Sequence, residues 1–409
     1  MHDAALSAAR DCSVSASGGH VLLWSSVPQR GRLAGHFQRG RAMAMNTSFV
    51  VCLLAGFLGA VAACAQERLD RDNLLLYRNQ VGAVQPVKTM ADWGGRRAEI
   101  VQSMESVMGK FPAKDRRVEL DVQIEETADV GSYERLLITY QSEPDSRTPA
   151  YLCIPKHARN SARKTPAVLC LHPTDNVLGH KVVVGLGGRN NRQYAAELAE
   201  RGYVTISPAY PQLANYWPNL AKLDYVSGSM KAIWDNSRAV DVLENLEDVA
   251  IDTQRGFGAI GHSLGGHNAI YTAVFDERIS VIVSSCGFDA FVDYYDGDER
   301  NWNFGKGWCQ TRYMPKMSDY RGRLDAIPFD FTELLGALAP RPVYVNAPLG
   351  DGNFRWKSVD RCARAAEPVY RLAGADGRLV VEHPDCVHDF PAAQREAAYK
   401  TIDSVLKAK

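Results

Sequence analysis

Gly256-Phe257-Gly258-Ala259-Ile260-Gly261-His262-Ser263-Leu264-Gly265-Gly266 is the stretch that decides the fold. A short apolar run leads into a G-x-S-x-G turn, and a helix-like run from His267 to Phe275 follows it. Strand, sharp turn and helix in that order read as a nucleophile elbow. The glycines have a steric reason, since side chains at Gly261 and Gly265 would crowd the strained turn. Ser263 is thereby expected to stand clear of a sheet, with a helix N-terminus behind it. That terminus favours the negative charge that develops during acyl transfer.

Outward from the elbow, the chain alternates strands and helices. Ala167 to Leu171 is a continuous apolar run, as expected of a parallel strand buried on both faces. Tyr203 to Ile206, Ile279 to Ser284, Val343 to Asn346 and Leu379 to Glu382 read as further strands. Tyr194 to Ala199, Met230 to Leu246 and Ser358 to Glu367 read as the helices between them. Upstream, the alternation Val118-Leu120-Val122-Ile124, the pair Leu136 and Ile138, and the run Thr148 to Pro155 predict antiparallel strands. The predicted class is α/β, a mostly parallel central sheet flanked by helices. Residues 66–115 read as a helical N-terminal arm, with a helix over Ala91 to Met108. Residues 116–409 read as the catalytic domain, with an aromatic-rich insertion at about 290–335.

The first 65 residues are set apart. Arg39 and Arg41 precede an apolar run, Phe49 to Ala63, too short for a stable membrane span. It reads as a secretory signal, with translation starting at Met1, Met43 or Met45. Ala63-Cys64-Ala65 fits a signal-peptidase site before Gln66, and Val61-Ala62-Ala63-Cys64 fits a lipobox with Cys64 as lipid anchor. Either reading predicts an exported chain, secreted, periplasmic or lipid-anchored. With 47 basic and 47 acidic residues, the charge balance argues against nucleic acid as a partner. Beyond Cys64 lie Cys153, Cys170, Cys286, Cys309, Cys362 and Cys386, and an exported chain can pair such cysteines. Cys153 and Cys170 sit in strand patterns and read as free thiols. With no CxxC or HExxH, no metal is expected, nor any organic cofactor.

A serine is a weak nucleophile without a neighbouring base, and the base needs an orienting carboxylate. In elbow-type hydrolases the chain order is serine, acid, histidine. Three histidines follow Ser263. His267 lies on the nucleophile's own helix, too close to return to Oγ. His388 lies in the loop after the last strand and is the predicted base; His383, at the end of that strand, is the alternative. Asp351, in the loop after Val343 to Asn346, is the predicted acid, and Asp289 one strand earlier is the alternative. Asp360 and Asp376 read as solvated. For the oxyanion hole, the Leu264 N–H is one donor and the Thr174 N–H the other, since Pro173 has none. His172 reads as a brace for that loop.

These residues resemble the α/β-hydrolase superfamily over about 115–405. Within it, Thr148 to Pro155 and Ala339-Pro340-Arg341-Pro342 resemble exported bacterial esterases related to dienelactone hydrolases, acetyl xylan esterases and glucuronoyl esterases. The chain departs from the first in having a serine nucleophile. It departs from the last in reading Ser263-Leu264-Gly265-Gly266 rather than Ser-Arg-x-Gly-Lys. The resemblance implies an α/β-hydrolase fold and ester hydrolysis through an acyl-enzyme. The expected substrate is a small-molecule or carbohydrate ester. Prolyl-oligopeptidase-like peptidases are the alternative, although the arm is too short for a β-propeller. An inactive binding protein is a third reading. Tyr294, Tyr295, Trp302, Phe304, Trp308 and Tyr313 are read as either a sugar-stacking rim or a self-packed lid. Arg312 or Lys306 is a candidate for a substrate carboxylate. Asp293, Asp296, Asp298 and Glu299 hint at calcium but lack EF-hand spacing.

Overall fold

The computed structural model describes residues 68–407. The signal segment, the cleavage site and Cys64 lie outside the described residues. In chain order the elements are β1 (Leu76–Arg78), β2 (Val84–Pro86), α1 (Met90–Met108), β3 (Gln123–Asp129), β4 (Tyr133–Glu143) and β5 (Ser146–Pro155). Then come β6 (Ala167–Leu171), α2 (Tyr194–Glu200), β7 (Val204–Pro208), α3 (Gly228–Glu244), β8 (Phe257–His262) and α4 (Leu264–Phe275). The chain closes with β9 (Ile279–Ser285), α5 (Phe331–Leu338), β10 (Val343–Asn346), α6 (Trp356–Leu372), β11 (Leu379–Glu382) and α7 (Ala392–Leu406).

Nine strands form one sheet in the order β11-β10-β9-β8-β6-β7-β5-β4-β3. From β7 to β11 neighbours are parallel; β3, β4 and β5 pair antiparallel, and β5 joins β7 antiparallel. Side chains alternate across the sheet. Ala167, Leu169 and Leu171 join one core with α1, α3, α4, α5 and α6. Val168 and Cys170 join the other with α2 and α7. Both faces of β6 are therefore dry, which explains its unbroken apolar sequence. No helix among the described residues is long and apolar enough to cross a membrane.

Several expectations need adjustment. Of the alternation Val118-Leu120-Val122-Ile124, only the end lies in regular strand, which starts at Gln123; before it Asp121 takes a φ of 40°, and the Leu120 carbonyl accepts the Gln141 N–H of β4 as an isolated cross-strand bond. The arm is not wholly helical, since β1 and β2 form a hairpin. Its turn is held by Asn79 Oδ1, which accepts the N–H groups of Val81 and Ala83. The arm is also tied to the rest of the fold. Glu333 and Asp330 start α5 with a capping box and are buried. Arg68 and Arg96 pair with Glu333, and Arg71 pairs with Asp330.

Candidate active site

The elbow is built by close backbone approach. A Cβ on Gly261 would lie 2.1 Å from the Gly265 carbonyl oxygen, and one on Gly265 would lie 1.9 Å from that of Leu171. Only hydrogens fit, so the turn can press β8 against the start of α4. Ser263 takes φ 55° and ψ −117°, a conformation costly for a non-glycine residue. Its own N–H is bound to the Ser285 carbonyl at 2.8 Å, which fixes the turn to β9.

Asp351 follows β10 and His388 follows β11, so both stand at the carboxyl edge of the sheet with Ser263. His388 Nδ1 lies 2.9 Å from Asp351 Oδ2 and 3.0 Å from Oδ1. The Asp351 side chain is 1% exposed, and its Oδ1 accepts the N–H groups of Asn353 and Phe354. The carboxylate is thereby held for Nδ1, and the far edge of the imidazole is left toward the cavity that Ser263 also lines. His383 is engaged elsewhere, between the Ala347 carbonyl and Asp360. Asp289 does not reach His388. It is fully buried, takes only the Arg355 N–H among the described residues, and burial pushes its carboxyl up to about 8.

The oxyanion candidates also converge. Thr174 and Leu264 both line a cavity with Ser263, and neither N–H donates to an acceptor among the described residues. His172 braces this loop: its Nε2 accepts the Tyr210 N–H and its Nδ1 bonds the Pro173 carbonyl. Burial lowers its pKa to about 4, so the ring stays neutral.

Two cavities meet at Ser263. The larger, about 400 Å³, is lined by His388, His262, Pro173, Asp175, Arg189 and Arg192 among others. The smaller, about 250 Å³, is lined by Leu264, His267, Tyr294, Trp308, Tyr313 and Phe354, with Gln310, Arg312 and Asn353. The aromatic insertion is thus divided. Trp302, Phe291 and Phe329 are fully buried and edge-packed, the lid reading. Trp308, Tyr294 and Tyr313 face the smaller cavity; Phe304 is 70% exposed. Arg312 reaches Gln310 and Asn176, whereas Lys306 lines neither cavity.

A group of residues invisible to motif reasoning pins the His388 loop. Arg192 pairs with Asp389 at 2.5 Å, and Asn191 donates to the same carboxylate. Asn346 donates to the Asp389 carbonyl and to Ser285 Oγ, which also meets His262 Nδ1. The Cys286 thiol lies within 4.8 Å of the Asp351 and His388 side-chain atoms and donates to the Asp389 carbonyl. Only adjacency to strand ends hinted at these positions.

Residues 215–374 match the family model "Glucuronyl esterase, fungi". A glucuronoyl esterase structure from Solibacter usitatus superposes with a TM-score of 0.64 at 22% identity, covering 81% of this chain and 97% of that one. One from Caldicellulosiruptor kristjansonii gives 0.60 at 18% identity, over 82% and 90%. The chain has the α/β-hydrolase fold. Among curated proteins, the chain is 26% identical to 4-O-methyl-glucuronoyl methylesterase of Hypocrea jecorina (strain QM6a). That alignment spans 41% of this chain and 39% of the relative.

Proposed function

We propose that this chain hydrolyses carboxylic esters of carbohydrate, foremost alkyl esters of a glucuronic-acid-type sugar, through an acyl-enzyme. The observation that carries the reading is the Asp351–His388 pair beside Ser263 at the junction of two cavities. Ser263 Oγ attacks the ester carbonyl while His388 takes its proton, and Asp351 holds the ring in the required tautomer. The Leu264 and Thr174 N–H groups receive the oxyanion. Collapse breaks the C–O bond, and the departing alkoxide takes the proton from His388. Water, deprotonated by His388, then releases the acid and restores Ser263. The smaller cavity is ring-sized and mixes aromatic walls with Asn353, Gln310 and Arg312. A pyranose presents both apolar C–H faces and hydroxyls to such a lining. An acetyl group would leave much of that cavity unfilled, which favours a sugar acid over an acetate ester. The matched glucuronoyl esterases support the same substrate class. Phe49 to Ala63 supports export to where such polymers are met.

The test compares benzyl glucuronate, acetylated xylose, p-nitrophenyl acetate and a peptidyl-prolyl amide. The glucuronate ester is expected to have the highest kcat/KM and the amide none. Ser263→Ala is expected to lower kcat by roughly 10⁴–10⁶-fold. Amide cleavage at the rate of the best ester would favour the peptidase reading. Ester cleavage undiminished in Ser263→Ala would remove the assignment of the nucleophile.

A further inference from the structure

The two cavities are not equivalent with respect to the proton. His388 lines the larger one and not the smaller. The group that protonates the leaving alkoxide must lie within hydrogen-bond reach of it. If Ser263 and His388 act as proposed above, the alcohol half of the ester therefore sits in the larger cavity and the acyl half in the smaller.

The alcohol cavity is lined by three charged side chains, Arg189, Arg192 and Asp175. Arg189 is exposed, lines this cavity, and has no hydrogen-bond or ion-pair partner among the described residues. Of the other two charged groups there, one is ion-paired and the other is hydrogen-bonded within its own loop but keeps its charge. Arg192 is 5% exposed and neutralised by Asp389. Asp175 Oδ1 accepts the N–H groups of Val177 and Leu178. The loop that carries Arg189 is anchored on both sides. Gly188 takes a φ of 89°, and a Cβ there would lie 2.6 Å from Val182 Cγ1, so the backbone seats directly on Val182. Asn191 and Arg192, just beyond, are bound to Asp389 beside His388. The backbone that carries Arg189 is therefore fastened to the same loop as His388, and the exposed Arg189 side chain lines the alcohol cavity. A planar guanidinium with free donors matches a carboxylate in two-point geometry.

We infer that Arg189 is a specificity residue that favours esters whose alcohol half bears a carboxylate. This rests on the ester-hydrolase reading and adds the chemistry of the leaving group to it.

Two substrates with the same acyl half separate the claims: benzyl glucuronate and 4-carboxybenzyl glucuronate. The wild-type protein is expected to favour the carboxylated ester by on the order of fivefold in kcat/KM at low salt, the scale of one exposed charge pair. Arg189→Gln is expected to bring that ratio close to one, and Arg189→Lys to retain part of it. High salt is expected to compress the ratio in the wild type more than in Arg189→Gln. A ratio that is the same in wild type and Arg189→Gln would overturn the inference while leaving the esterase reading intact. Failure of the wild type to hydrolyse either ester would overturn the glucuronoyl-ester reading, and this inference with it.

Discussion

At the residue scale, the site separates two carboxyls that sequence spacing alone left in competition. Asp351 accepts two backbone N–H groups and meets His388 Nδ1, so its carboxylate is oriented toward the imidazole. Asp289 has one carboxyl oxygen without a partner among the described residues and is buried, which favours the protonated form. Asp351→Asn is predicted to lower kcat by about 10⁴-fold by favouring the wrong imidazole tautomer. Asp289→Asn is predicted to cost far less. Near-normal rates in the first variant and loss in the second would reverse the assignment. Asp289 also predicts a pH dependence of stability. Its folded pKa of about 8 lies above the ordinary 3.8, so the native state holds a proton that the unfolded chain releases. Stability from this source is full below the ordinary value and declines as pH rises toward the folded one. Asp289→Asn is neutral throughout, so its stability relative to wild type should rise between about pH 4 and 8, by at most about 1.4 kcal/mol per pH unit. Urea titrations at both ends of that range measure it, and parallel curves would remove the explanation.

At the element scale, the insertion between β9 and α5 works as both core and wall. Trp302 is fully buried, with Phe291 and Tyr294 edge-on to it. Trp308 touches the same rings but also lines the smaller cavity beside His267. Trp302→Ala is predicted to cost about 3–5 kcal/mol of stability through the cavity it leaves. It should leave the relative KM values of different esters alone. Trp308→Ala is predicted to raise KM for a glucuronate ester more than for p-nitrophenyl acetate, by roughly a factor of ten, the scale of one lost ring contact. Equal KM changes for both esters would argue against a ring-binding wall. Aromatic enrichment was legible in the sequence, but not this division of labour. Which face of each short 3₁₀ turn points inward depends on β9, α5 and the Asp351 loop, and no periodicity encodes that.

At the scale of the whole molecule, Cys153, Cys170, Cys286, Cys309 and Cys362 are buried, and these five and Cys386 are all free thiols. A native disulfide would add about 2–5 kcal/mol. The Tm measured with and without reductant is therefore predicted to coincide, and a fall of several degrees on reduction would reveal a bond. What the sequence by itself determined is the part that rests on local sterics and chain order. The elbow glycines, the dry strand β6, and the succession Ser263, Asp351, His388 are all properties of short segments or of their order. The hairpin of β1 and β2 was missed because its strands have three residues each, too few for a period to register. What only the tertiary structure decided are contacts between distant segments. These are Arg192 on Asp389, Arg68 and Arg96 on Glu333, and the division of the space around Ser263 into two cavities with His388 on one side. They depend on where the sheet brings loop ends together, and one strand's pattern carries no information about the loop beside it.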